Sequence, residues 1–228
     1  MRSNILLAVA VASAAMFSAC GGGSRSTGSK KLEAPKLPPV NPRALRDFDA
    51  GLRALKLGGP EANEKAIERF RSAIDLDSKL WEGWHNLGAV LLAEGDDKGA
   101  AEAFEKTLDI NPVHRPAMAG LAEAHRLGGS KKKAAKAYRR LIELEPSAVG
   151  AYARLASLLR ASGDYEDGLD VLREALRVAG TTSALQVEFG LIYLAQGRDS
   201  LAKLVLDKAS ALNSKDPAVY NALALVAM

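Results

Sequence analysis

Three hydropathy regimes follow one another along the chain. Residues 5–17 form a nearly unbroken apolar run behind a single cation, Arg2. Residues 21–43 (GGGSRSTGSKKLEAPKLPPVNPR) then lose apolar periodicity and fill with Gly, Ser, Lys and Pro. Such a segment buries too little surface to order itself. From about residue 44 the apolar positions recur at helical spacing, as in Trp84, Leu87, Gly88 and Leu91, which marks one face of a helix.

That helical pattern itself repeats every 34 residues. Gly95, Gly129, Gly163 and Gly197 form one series, and Ala100, Ala134, Gly168 and Ala202 a second. Phe104, Tyr138, Leu172 and Leu206 form a third. Leu87, Leu121, Leu155, Phe189 and Leu223 form a fourth, each followed by Gly or Ala. Pro112 and Pro146 close two of the units. Each unit reads as a helical hairpin. The glycine series ends a first helix through the left-handed conformation, and Asp96, Ser130 and Asp164 are placed to cap the next helix. Gly88 and Ala100 leave room for two helices to approach. The late prolines stop the second helix, because they cannot donate the next backbone hydrogen bond.

The predicted class is all-α. Units are expected at about 44–80, 81–114, 115–148, 149–182 and 183–216, with a partial unit at 217–228. In the first unit the turn near Leu57-Gly58-Gly59-Pro60 is expected to be about three residues longer than its counterparts.

This layout resembles the tetratricopeptide repeat, W-x2-L-G-x2-Y followed by A-x3-F-x2-A and a late proline. Its closest copy here is Trp84, Leu87, Gly88 and Leu91, then Ala100, Phe104 and Pro112. The resemblance implies a right-handed superhelical solenoid whose concave face, lined by first helices, binds an extended peptide or a helix. The groove residues it implies are Glu82, His85, Asn86, Ala89 and Leu92, then Ala119, Glu123 and Arg126. Arg154, Ser157 and Arg160 follow, then Val187, Glu188, Leu191 and Leu194. That groove is expected to be basic in its middle and apolar toward its C-terminal end. Chaperone-binding members carry a carboxylate clamp, for which His85, Ala89, Gly120, Gly150 and Arg154 occupy the positions; only Arg154 fits.

The uncharged stretch of residues 3–19 is short beside the roughly 20 residues of a membrane span and suits a signal peptide, residues 1–19. Phe17-Ser18-Ala19-Cys20 is similar to the lipobox of bacterial lipoproteins, with Phe17 where Leu is usual. The resemblance implies cleavage before Cys20 and acylation of its thiol and new amine. Several acyl chains hold a bilayer far more firmly than one. Gly21, not being Asp, implies the outer membrane, facing the periplasm. Residues 20–43 then act as a tether, spanning about 25–30 Å as a flexible coil.

Composition narrows the function without naming it. The chain is 48% apolar and 25% charged with a net charge of +4, a balance that does not itself imply nucleic acid. Cys20 is the single cysteine, so no internal disulfide forms. His85, His114 and His125 stand in no metal-ligand spacing, and nucleophile-elbow and phosphate-loop patterns are absent. Neither a catalytic residue, a metal nor a cofactor is expected. The run Lys131, Lys132, Lys133, Lys136, Arg139 and Arg140 lacks interleaved aromatics and is read as a solvated outer face rather than a nucleic-acid site.

The expected function is a membrane-anchored scaffold binding other envelope proteins. In this the chain resembles the pilotins and Tad-type lipoproteins of pilus assembly. The alternative is a scaffold for peptidoglycan enzymes or β-barrel insertion. Residues 217–228 (PAVYNALALVAM) match a first helix with no second one and carry only Tyr220 and Asn221 as polar side chains. A solenoid end is normally polar on its outer face. Either the array continues in a longer chain, or a partner or second copy covers this helix, and self-association of the chain is expected.

Overall fold

The computed structural model describes residues 39–226; the expected leader, Cys20 and the expected tether through residue 38 lie outside the described residues. Those described form eleven helices and no strand. They are α1 (Pro42–Leu57), α2 (Pro60–Leu76), α3 (Trp81–Glu94), α4 (Asp97–Ile110), α5 (Arg115–Leu127) and α6 (Lys131–Leu144). Then come α7 (Val149–Ser162), α8 (Tyr165–Ala179), α9 (Ser183–Ala195), α10 (Asp199–Leu212) and α11 (Pro217–Val226). None is long and apolar enough to cross a membrane.

Helix α1 begins two residues ahead of the expected start because Asn41 caps it. The Asn41 side-chain oxygen accepts from the Arg43 N–H at 2.9 Å, with Pro42 in the first helical position, where its missing N–H costs nothing. Asn41 also donates to the Leu76 carbonyl at 3.2 Å, and its own N–H to the Asp77 carboxylate at 2.8 Å. The start of α1 is thus tied to the end of α2.

The first turn is not longer than the others. Only Gly58 and Gly59 separate α1 from α2, as Gly95 and Asp96 separate α3 from α4. The extra residues lengthen the helices instead, to 16 and 17 residues against 14 each for α3 and α4. Gly58 and Gly59 both take positive φ (72° and 92°), which lets so short a link reverse the chain. Capping also differs from expectation. Asp96 accepts from the Gly99 N–H at 2.9 Å, but Ser130 and Asp164 make no side-chain cap bond. Both are exposed, so water can serve the first-turn amides there.

Each first helix packs on the second helix of its own hairpin, and each second helix on the first helix of the next. First helices also meet one another, α3 with α5, α7 with α9 and α9 with α11, and so line the inner curve of the solenoid. Large side chains seat in glycine notches. Phe104 of α4 is 2% exposed and lies between Gly88 of α3 and Gly120 of α5, where an added Cβ would stand 3.0 Å from its ring on the Gly88 side and closer still on the Gly120 side. Phe70 against Gly51 and Leu206 against Gly190 repeat the device. Ala100, Ala134 and Ala202 are fully buried where the hairpins close. In α11, Val219 and Ala222 pack on Val187, Leu206 and Ala209, while Tyr220 and Leu225 remain more than half exposed.

Candidate functional site

The inner curve carries a chain of charged groups across three successive first helices. On α5, Arg126 makes a bidentate bond to Glu123, at 2.8 Å from Nε and 2.6 Å from Nη2. Tyr138 of α6 adds its hydroxyl to the same carboxylate at 2.6 Å. These donors hold the Glu123 carboxyl below the usual range, the Arg126 bond contributing most and burial opposing it. Burial and the Glu123 carboxylate push the Tyr138 phenol up. The Tyr138 ring is itself core, 4% exposed.

On α7 and α9 a second pair forms. Arg160 stands 3.5 Å from Glu188 and bonds the Ser157 hydroxyl at 3.3 Å. The pair's geometry leaves Arg160 Nε and Glu188 Oε2 buried without a hydrogen-bond partner. Burial raises the Glu188 pKa against the pull of Arg160 and Arg154. Arg154 sits within electrostatic reach of both Glu123 and Glu188. It is exposed and, among the described residues, belongs to no ion pair.

The middle of the groove is therefore alternating in sign rather than plainly basic: two of the three expected arginines are neutralised by Glu123 and Glu188. Leu191 and Leu194 are half-buried at the C-terminal end of the curve. Val187 is 5% exposed and packs in the core against α10 and α11, so it offers the groove no surface. At the other end, Asn86 bonds back to the Glu82 carbonyl at 2.8 Å. His85 meets His114 edge-on at 4.7 Å, and Trp81 lies 4.6 Å from the His114 ring. Burial, with His114 second, lowers the His85 pKa to about 4. His114 Nδ1 accepts from the Ala117 N–H at 3.2 Å and caps α5, so it is a structural group as well. Glu82 Oε2 and His85 Nδ1 are buried without hydrogen-bond partners.

Tyr138 escaped the sequence reading as a groove residue because it occupies a core position of the repeat. Its signal was the hydroxyl, present there alone in the series Phe104, Tyr138, Leu172 and Leu206, since a buried phenol needs a partner. Among the described residues, no cluster of three or more His, Cys, Asp or Glu is placed to hold a metal ion. His125 lies on the outer side of α5, with Nε2 3.8 Å from Glu105.

Models of the tetratricopeptide repeat match residues 81–112, 99–149, 120–184 and 159–226, and together cover 81–226. Among solved structures, the chain is similar to MamA, with 19% identity and a TM-score of 0.68 over 75% of this chain and 92% of that one. MamA from Desulfovibrio magneticus RS-1 gives 18%, 0.68, 78% and 99% in the same terms. YrrB, described as a tetratricopeptide repeat protein with an unusual peptide-binding site, gives 18%, 0.66, 79% and 92%. Identities this low speak for the fold alone. No curated protein matches the chain.

Proposed function

We propose that this chain, which belongs to the tetratricopeptide repeat family, is a lipid-anchored scaffold of the bacterial envelope that holds a segment of a partner protein along its concave face. The observation that carries the binding reading is Arg154. Among the described residues it is an exposed cation in no ion pair, between the Glu123–Arg126 and Glu188–Arg160 pairs, on a curve that turns apolar at Leu191 and Leu194. A cation so placed suits a ligand carboxylate beside apolar side chains, because a charge-assisted bond to an exposed arginine breaks no ion pair among the described residues. The anchor rests on the sequence alone: Cys20 closes an apolar leader and precedes a Gly, Ser, Lys and Pro tether. Acylation there would hold the solenoid within reach of the outer membrane's periplasmic face. Pilus or secretin assembly is the envelope process whose lipoproteins this layout resembles.

The test of the groove is capture from membranes by wild type and by Arg154→Glu. Reversing Arg160 as well would set two half-buried carboxylates face to face across the site of the present 3.5 Å pair, so the single change is the cleaner probe. Loss of the captured partner with an unchanged melting curve supports the reading. Equal capture by both proteins rejects it.

A further inference from the structure

We infer that the outward face of α6 is a second docking surface, fitted to a short acidic segment of a partner protein. Helix α6 carries six cations, Lys131, Lys132, Lys133, Lys136, Arg139 and Arg140, all exposed, against one acid, Glu143. None of the ion pairs among the described residues involves any of the six. Lys131 and Arg140 reach only backbone carbonyls, of Ala161 at 3.1 Å and Pro112 at 3.4 Å.

The arrangement works against the helix that bears it. Three lysines crowd the first turn, where the helix dipole favours anions. Lys136 stands three or four residues from Lys132, Lys133, Arg139 and Arg140, and like charges at that spacing repel across one face. Folding gains nothing from this concentration of charge, whereas an external anion relieves every one of these repulsions.

The neighbours decide which anion. Helix α4 carries four acids and two bases, and α8 likewise. A flat anionic surface laid on the outer curve meets all three helices, since α4 and α8 each share a surface cleft with α6. Their charges nearly cancel, which disfavours a bilayer. A narrow chain lying along α6 meets only the cations. Nucleic acid would find no exposed aromatic on α6 against which to stack its bases. Such a narrow chain follows the exposed ridge of Lys132, Lys136 and Arg139 rather than the α4–α6 cleft, whose far wall carries Glu105 and Asp109. The strip from Lys131 to Arg140 is about 14 Å long, enough for four or five extended residues.

The test is fluorescence anisotropy with a labelled peptide of alternating Glu and Ser, and a Gln–Ser peptide as control, on the full chain. The triple variant Lys132→Gln, Lys136→Gln and Arg139→Gln should bind the acidic peptide about tenfold more weakly while melting no lower than wild type. Lys→Arg changes at the two lysine positions should retain binding, and so should Lys203→Gln, an exposed cation on α10. Equal binding by wild type and triple variant overturns the inference, as does equal binding of the Gln–Ser peptide. So does α6-dependent capture by phosphatidylglycerol vesicles, or by single-stranded DNA, that exceeds capture of the acidic peptide.

Discussion

Replacing Gly120 by Ala tests the packing logic of the stack, because two effects of similar size oppose each other there. An alanine in a helix interior is favoured over glycine by about 0.8–1 kcal/mol. At Gly120, however, the new Cβ would lie 2.6 Å from Phe104 Cε2 and 2.8 Å from Cε1, against an optimum near 3.5–4.0 Å. The ring cannot simply back away, since a Cβ at Gly88 on its other side would already be 3.0 Å from it. Overpacking of this kind costs about 1–3 kcal/mol, so Gly120→Ala should destabilise by about 0–2 kcal/mol net and fall below Gly150→Ala by the full overpacking cost. Gly150, on α7, has nothing within 4 Å of the same position, and Gly150→Ala should be neutral or stabilising. Urea melts of both variants, and of Gly120→Ala combined with Phe104→Leu, give the answer. In the Leu background the clash is relieved, and the alanine should become neutral or stabilising. If Gly120→Ala is as stable as Gly150→Ala, or if Phe104→Leu leaves its effect unchanged, the notch reasoning is wrong.

Other consequences follow from individual groups. Ala134→Phe places a ring where the side chain is fully buried between helices and should cost about 1–3 kcal/mol or more in a thermal melt. Tyr138→Phe removes the 2.6 Å bond to Glu123; a loss of about 1.5–3 kcal/mol is expected, with the Glu123 pKa rising toward its ordinary value by NMR titration. His85 has its folded pKa depressed from 6.5 to about 4, so its neutral form stabilises the fold above pH 6.5 and that stability is lost as pH falls from 6.5 toward 4. The loss is on the order of 3 kcal/mol, and His85→Phe should flatten that limb of the stability–pH curve. Cys20→Ala should abolish palmitate incorporation and release the chain from membranes; label retained by the variant would remove the anchor from the account.

The repeat was legible because its determinants are local and periodic. Glycines at the turns and alanines at the closest approaches recur every 34 residues, and each has a steric reason that spacing alone reveals. The first turn was misjudged because a length difference does not say where extra residues go. Gly58-Gly59-Pro60 can close a two-residue link, and the surplus then continues the helices. In the groove, positions were legible but pairings were not. Arg126 and Arg160 looked alike in sequence, yet one finds its carboxylate a single turn away and the other finds Glu188 on the next hairpin, 28 positions on. Val187 shows the limit of mapping by repeat position, since the approach of α11 converts a groove site into core.

The central proposal is that the inner curve receives the partner segment described above, apart from the acidic-segment surface of α6, while the chain sits on a membrane. Site-specific photo-crosslinking in intact cells tests it directly, with the reactive group placed in turn at Arg154, at Leu191 and at Leu204, which is 53% exposed on α10. The account predicts one common adduct from positions 154 and 191, found in the membrane fraction and missing from position 204. An adduct of equal yield from position 204, or adducts found only in the soluble fraction, would contradict it.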